Sequence, residues 1–197
     1  MTRYALRHIA FPTRPGASGA ALLSPTMGQD GMSSHSGAQL DAIAGVAQLF
    51  RERSVDYWLF GGWAVDFWVG HMTREHGDVD LAVRLRDRPS VHELLLGDGW
   101  HPAPVDDEAI GAGYRRSDVL LELTFVETDD EGRVLIPFAN GPAVWSTTSF
   151  GDVTRELLGV RSRTVPLPVL RTDKSTPRED DDDAVKDVAD HEALSRL

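Results

Sequence analysis

Two carboxylates stand two residues apart in the run Asp78-Val79-Asp80-Leu81-Ala82-Val83. In an extended strand, residues i and i+2 project to one face. Both acids would therefore point one way, with Val79 and Leu81 facing the core. Two carboxylates on one face repel unless a cation lies between them. Mg²⁺ takes such hard oxygen ligands and keeps positions open for substrate phosphates. Upstream, Gly61-Gly62 follows Tyr57-Trp58-Leu59-Phe60 and precedes Trp63-Ala64-Val65-Asp66. Two glycines after a strand let the backbone approach a ligand closely. The free N–H groups of the helix that follows would point at the same spot, making a phosphate cradle. A cradle beside an acid pair is one coherent piece of chemistry.

Two-metal phosphoryl chemistry normally uses a third carboxylate. Glu122 is the best candidate, because it interrupts Leu120-Leu121-Glu122-Leu123-Thr124-Phe125, where a charge is otherwise unwelcome. Strand alternation puts Glu122, Thr124 and Val126 on one face. A strand flanking that of Asp80 would aim Glu122 into the same site. Glu127 and Asp129 are weaker candidates, since they approach a turn.

These residues need elements to hold them. Leu40, Ile43, Ala44, Val46, Ala47, Leu49 and Phe50 form one broad apolar helical face. Tyr57–Phe60 reads as a short buried strand, Gly61-Gly62 as a turn and Trp63–Val69 as a helix. Val79–Leu85 is a strand, and Pro89–Leu96 a helix ended by Gly97 and Gly99. Val119–Val126 is a strong strand, with Asp129–Gly132 as a hairpin turn and Arg133–Ile136 as its return. Short strands are expected near Val144–Phe150 and Thr164–Val169, and a last helix over Asp182–Leu197. Residues 1–37 have no helix or strand period and read as a disordered or spurious extension.

Composition bounds the rest. The 197 residues are 41% hydrophobic and 26% charged, enough for an ordinary globular core. No apolar run approaches the roughly 18 residues of a membrane span. There is no cysteine, which excludes disulfide scaffolds, cysteine zinc sites and thiol catalysis, and fits a cytoplasmic protein. Twenty Lys and Arg against 31 Asp and Glu give a net charge of −11, which argues against general nucleic-acid binding. Residues 178–192 hold eight acids against Arg178 and Lys186. Acidic walls of this kind, with Asp106, Asp107 and Glu108, suit a cationic small molecule.

Gly61-Gly62-Trp63-Ala64-Val65-Asp66, Gly70, then Thr73-Arg74-x-His76-x-Asp78-x-Asp80-Leu81 resembles the antibiotic nucleotidyltransferases of the polymerase-β-like superfamily. Within them it is most similar to the aminoglycoside 2″-adenylyltransferase and lincosamide nucleotidyltransferase group. The resemblance is dense over Leu59–Val83 and looser through Glu122 to Lys186-Asp187-x-x-Asp190 and Leu194. It implies an α/β (α+β) minimal nucleotidyltransferase domain: a short mixed sheet on helices with a small C-terminal helical element. The expected division is extension 1–37, nucleotidyltransferase domain 38–170 and helical element 171–197.

By resemblance, Gly61 and Gly62 hold the triphosphate, and Asp78 and Asp80 bind the metals. Glu122 stands where the family usually has Asp, as third ligand and candidate base. Arg74 either contacts phosphate or braces the acid pair, and Lys174 neutralises triphosphate charge. Trp63 and Asp66 look structural as much as functional; His76 looks like a brace for the loop. The implied reaction moves AMP from ATP, with two Mg²⁺, onto a hydroxyl of an aminoglycoside- or lincosamide-type antibiotic. Rival readings are transfer to a biosynthetic metabolite or a protein hydroxyl, a degenerate nucleotide-binding module, and a metallohydrolase using His76, Asp78 and Asp80.

Overall fold

The computed structural model describes residues 32–175 and 181–197, with side chains from 185 onward in the last segment. The stretch 1–31 and the acidic run 179–183 lie outside the described side chains.

Helix α1 (Ser34–Glu52) starts three residues before Gly37, where order was expected to begin. Ser33 supplies the reason: its hydroxyl accepts from the Ser36 N–H at 3.1 Å and caps the helix. Leu40, Ile43, Val46, Ala47 and Phe50 recur at helical spacing and are all buried. Strand β1 (Tyr57–Phe60) leads directly into α2 (Gly61–Val69), whose cap is Phe60, so the expected Gly-Gly turn is the first turn of the helix. Strand β2 (Val79–Arg84), α3 (Arg88–Gly97), β3 (His101–Ala103), β4 (Gly111–Arg116) and β5 (Val119–Thr128) follow. Then come β6 (Val134–Ile136), β7 (Ala143–Ser146), β8 (Thr154–Leu157), β9 (Val160–Arg163), α4 (Leu167–Ser175) and α5 (Asp181–Ser195).

The main sheet is mixed, in the order β1-β2-β5-β4-β3, with β6 on the far end of β5 and β7 on β6. β1 runs antiparallel to β2, β2 parallel to β5, and β4 antiparallel to β5. Directly paired residues share a face. Leu59, Leu81 and Leu123 are therefore aligned across three strands on the apolar face, each at most 2% exposed. The row one step along is Phe60, Asp80, Glu122 and Gly113, on the opposite face. Helix α1 packs on β5 and β9, α2 on β1, β2 and β8, and α4 and α5 on each other and on α2.

One expected strand is corrected. Thr164 makes a single parallel bridge with Leu59, but Leu167 already opens α4. Pro168 in its first turn has no N–H to offer a ladder and a φ set for a helix. The strand expected over Val144–Phe150 ends at Ser146, whose hydroxyl folds back onto Thr148.

Candidate active site

Asp80 and Glu122 are directly paired in the parallel ladder of β2 and β5, and Asp78 lies one residue before β2. Asp78, Asp80 and Glu122 each offer a carboxylate oxygen, and the three oxygens lie within 4.8 Å of one another. All three residues are half-buried. The donor set is all hard oxygen, with neither imidazole nor thiol, which suits Mg²⁺ over zinc.

Gly61 sits against this cluster with φ +67°, and a Cβ on it would overlap the Asp80 carboxylate, lying 3.0 Å from its Cγ. A Cβ on Gly62 would lie 2.6 Å from Arg74 Nη2 and overlap the His76 ring. The first turn of α2 is thus pressed onto Asp80 on one side and onto Arg74 and His76 on the other.

Arg74 is gripped from α5. Its Nε and Nη2 donate to the two carboxylate oxygens of Asp190, each at 3.0 Å. Its Nη1 donates to the Glu75 carbonyl at 3.1 Å and meets His76 Nδ1 at 3.0 Å. Arginine can only donate, so Nδ1 is the acceptor and Nε2 carries the proton toward Asp66, 2.6 Å away. Asp66, fully buried, also accepts from the Thr73 N–H and hydroxyl. Gln39 joins Trp63 Nε1 to the His76 carbonyl. Asp66, His76 and Trp63 are thus held inside the molecule as braces of the loop. With both ring nitrogens of His76 engaged, the hydrolase donor set does not assemble among the described residues.

Lys174 of α4 is buried, with Nζ 3.1 Å from Asp187 and 2.8 Å from Asp190. It shares the Asp190 carboxylate with Arg74. Burial alone would raise the Asp190 carboxyl, but Arg74 and Lys174 outweigh it and hold the group below its ordinary range.

No sequence signal points to Asp173. Trp145 of β7 donates to both of its oxygens at 3.1 Å. Trp145 in turn packs edge-on against Phe60, ring centres 5.0 Å apart. Burial pushes the Asp173 carboxyl up to about 7, against the Trp145 hydrogen bond and the charge of Lys174. An acid raised on folding weakens the folded state as pH climbs from its ordinary value of 3.8 to about 7. Asp173→Asn keeps an acceptor for Trp145 and removes the charge. Its melting temperature should exceed the parent's by a margin that widens from about pH 4 to about pH 7 and is flat above. A margin independent of pH would refute the titration.

A mixed sheet with Asp80 on one strand, Asp78 just before that strand, a third acid on the parallel neighbour and a glycine-led helix pressed on them has the architecture of a nucleotidyltransferase fold. Residues 42–127 match the family described as aminoglycoside-2″-adenylyltransferase. By sequence, this segment is similar to the antibiotic nucleotidyltransferases. A lincosamide resistance protein of Staphylococcus haemolyticus is 28% identical over 95 residues, 45% of this chain and 55% of that protein. A 2″-aminoglycoside nucleotidyltransferase of Escherichia coli is 39% identical over 49 residues, 23% of this chain and 28% of that protein. The matches thus span about half of the first relative and about a quarter of the second.

The lincomycin-bound lincosamide antibiotic adenylyltransferase LnuA has a TM-score of 0.61 at 20% identity, covering 77% of this chain and 92% of that one. ANT(2″)-Ia in complex with adenylyl-2″-tobramycin gives 0.59 at 18% identity, covering 81% and 88%. These likenesses establish the fold. Among the described residues, no helix is long and apolar enough to cross a membrane.

Proposed function

We propose that this protein is a metal-dependent nucleotidyltransferase that moves AMP from ATP onto a hydroxyl of an aminoglycoside- or lincosamide-type antibiotic. The observation that carries the reading is the convergence of three carboxylate oxygens within 4.8 Å beside a glycine-led helix start. The family match of residues 42–127 supports it.

In this reading the first N–H groups of α2 hold the triphosphate, where the helix end favours negative charge. Asp78, Asp80 and Glu122 would hold Mg²⁺, which when bound would neutralise phosphate charge and lower the pKa of the acceptor hydroxyl. The acceptor oxygen bonds to the α-phosphorus while the bond to the bridging oxygen of the β-phosphate breaks, releasing pyrophosphate. Glu122 takes the hydroxyl proton in this reading. The rest is positioning and charge neutralisation.

The test is pyrophosphate release with Mg²⁺, each of the four nucleoside triphosphates, and a panel of aminoglycosides and lincosamides. Release that needs ATP and one antibiotic and vanishes in Asp78→Ala is the expected result. Release with none of the panel overturns the assigned acceptor class. If Mg²⁺-dependent nucleotide binding persists, the search moves to biosynthetic metabolites or protein hydroxyls.

A further inference from the structure

The network behind the cradle raises its own question. Arg74 and Lys174 converge on Asp190, which is wholly buried and lies 116 residues beyond Arg74. Burying ions costs several kcal/mol each, and apolar replacements of buried ion pairs are often neutral or stabilising. Stability alone is a poor reason for such a cluster.

Its geometry supplies a better one. Asp190 takes two parallel bonds from Arg74, a fork that fixes the plane of the guanidinium as well as its position. The Nη2 so fixed lies 2.6 Å from where a Gly62 Cβ would be. Nη1 meanwhile sets His76, whose far nitrogen is tied to Asp66 within α2 itself. The guanidinium is therefore wedged between α5 and the first turn of α2.

We propose that Asp190 is a positioning residue for the nucleotide cradle: it locks Arg74 under Gly62, so that α5 sets where the first turn of α2 meets the phosphates. This rests on the nucleotidyltransferase reading above. Asp190 acts through Arg74 and His76, with no contact to the reacting atoms. Removing its charge frees the guanidinium to rotate and loosens the first turn.

The experiment compares Asp190→Asn with the parent chain. It also compares Lys174→Met/Asp190→Asn with Lys174→Met alone. The double change removes a cation together with the anion, so the net charge of the buried network is unchanged. Leu194→Val serves as control, since Leu194 is fully buried on α5 but is no partner of Arg74. The readouts are Mg²⁺–ATP-induced shifts in melting temperature and steady-state kinetics. Loss of the Asp190 charge should raise the nucleotide KM about tenfold in both comparisons, with kcat and acceptor KM within about twofold. Leu194→Val should lower the melting temperature and leave the nucleotide KM alone. An unchanged nucleotide KM in either folded Asn variant overturns the proposal. So does a Leu194→Val effect on KM as large as that of Asp190→Asn. A parent chain whose melting Mg²⁺–ATP does not shift fails the nucleotidyltransferase reading itself, and this proposal with it.

Discussion

Asp80→Asn should leave a cooperative melt and abolish measurable turnover. Asparagine has nearly the same shape, so the row Phe60, Asp80, Glu122 keeps its packing. It has lost the charge that, in the proposed reaction, would hold a divalent cation. A thousandfold fall in rate corresponds to about 4 kcal/mol of transition-state stabilisation, a reasonable share for one of three carboxylates around a metal. The stability effect should have the opposite sign. Without divalent metal, three carboxylates with oxygens within 4.8 Å repel one another. The variant should then melt at or above the parent's temperature in chelator. Mg²⁺ should raise the parent's melting temperature more than the variant's. Near-parental turnover would sink the metal assignment.

Gly61→Ala should cost both stability and activity, and a second glycine separates the causes. Gly61 and Gly70 both have positive φ, +67° and +84°. An alanine at either place suffers the left-handed backbone penalty, on the order of 1 kcal/mol. At Gly70, the C-cap of α2, a Cβ meets nothing within 4 Å. At Gly61 it overlaps the Asp80 carboxylate, so the acid or the first turn must move. A displacement of about 1 Å in a site of this kind costs roughly a hundredfold in rate. Gly70→Ala should thus lower the melting temperature with kcat/KM near the parent's. Gly61→Ala should lower both, kcat/KM by about a hundredfold or more. Equal kinetics for the two variants at equal loss of stability would show that the close approach to Asp80 does not matter.

The strands that carry the acids were legible because they are apolar runs with a period. Tyr57–Phe60 matches its expected bounds, and Val79–Arg84 and Val119–Thr128 differ by a residue or two at one end. Glu122 was legible for the reason that made it anomalous, a charge in a run of buried residues. β4 was not, because Gly111-Ala112-Gly113 has no strand signature. Its glycine at 113 answers a tertiary demand, since a Cβ there would lie 2.7 Å from the Ala103 carbonyl. β8 shows an almost wholly exposed face, so no hydrophobic period marks it. The grip of Asp190 on Arg74 was closed to local reading altogether. The motif around each residue was visible, but not the pairing of two motifs 116 positions apart.

The pairing of Asp80 with Glu122 across two parallel strands also bears on how the chain avoids misfolding. Parallel strands are joined by long connections and have no tight turn to set their alignment. Sliding β5 by one residue against β2 would turn Glu122 into the leucine layer and bring Leu121 and Leu123 out beside Asp80. That misalignment strands an ion among hydrocarbon, at a cost of several kcal/mol. The acid that the proposed chemistry would use therefore proofreads assembly as well. A version of this sheet with leucine at 122 would lose that proofreading, and its refolding should become slower and more heterogeneous.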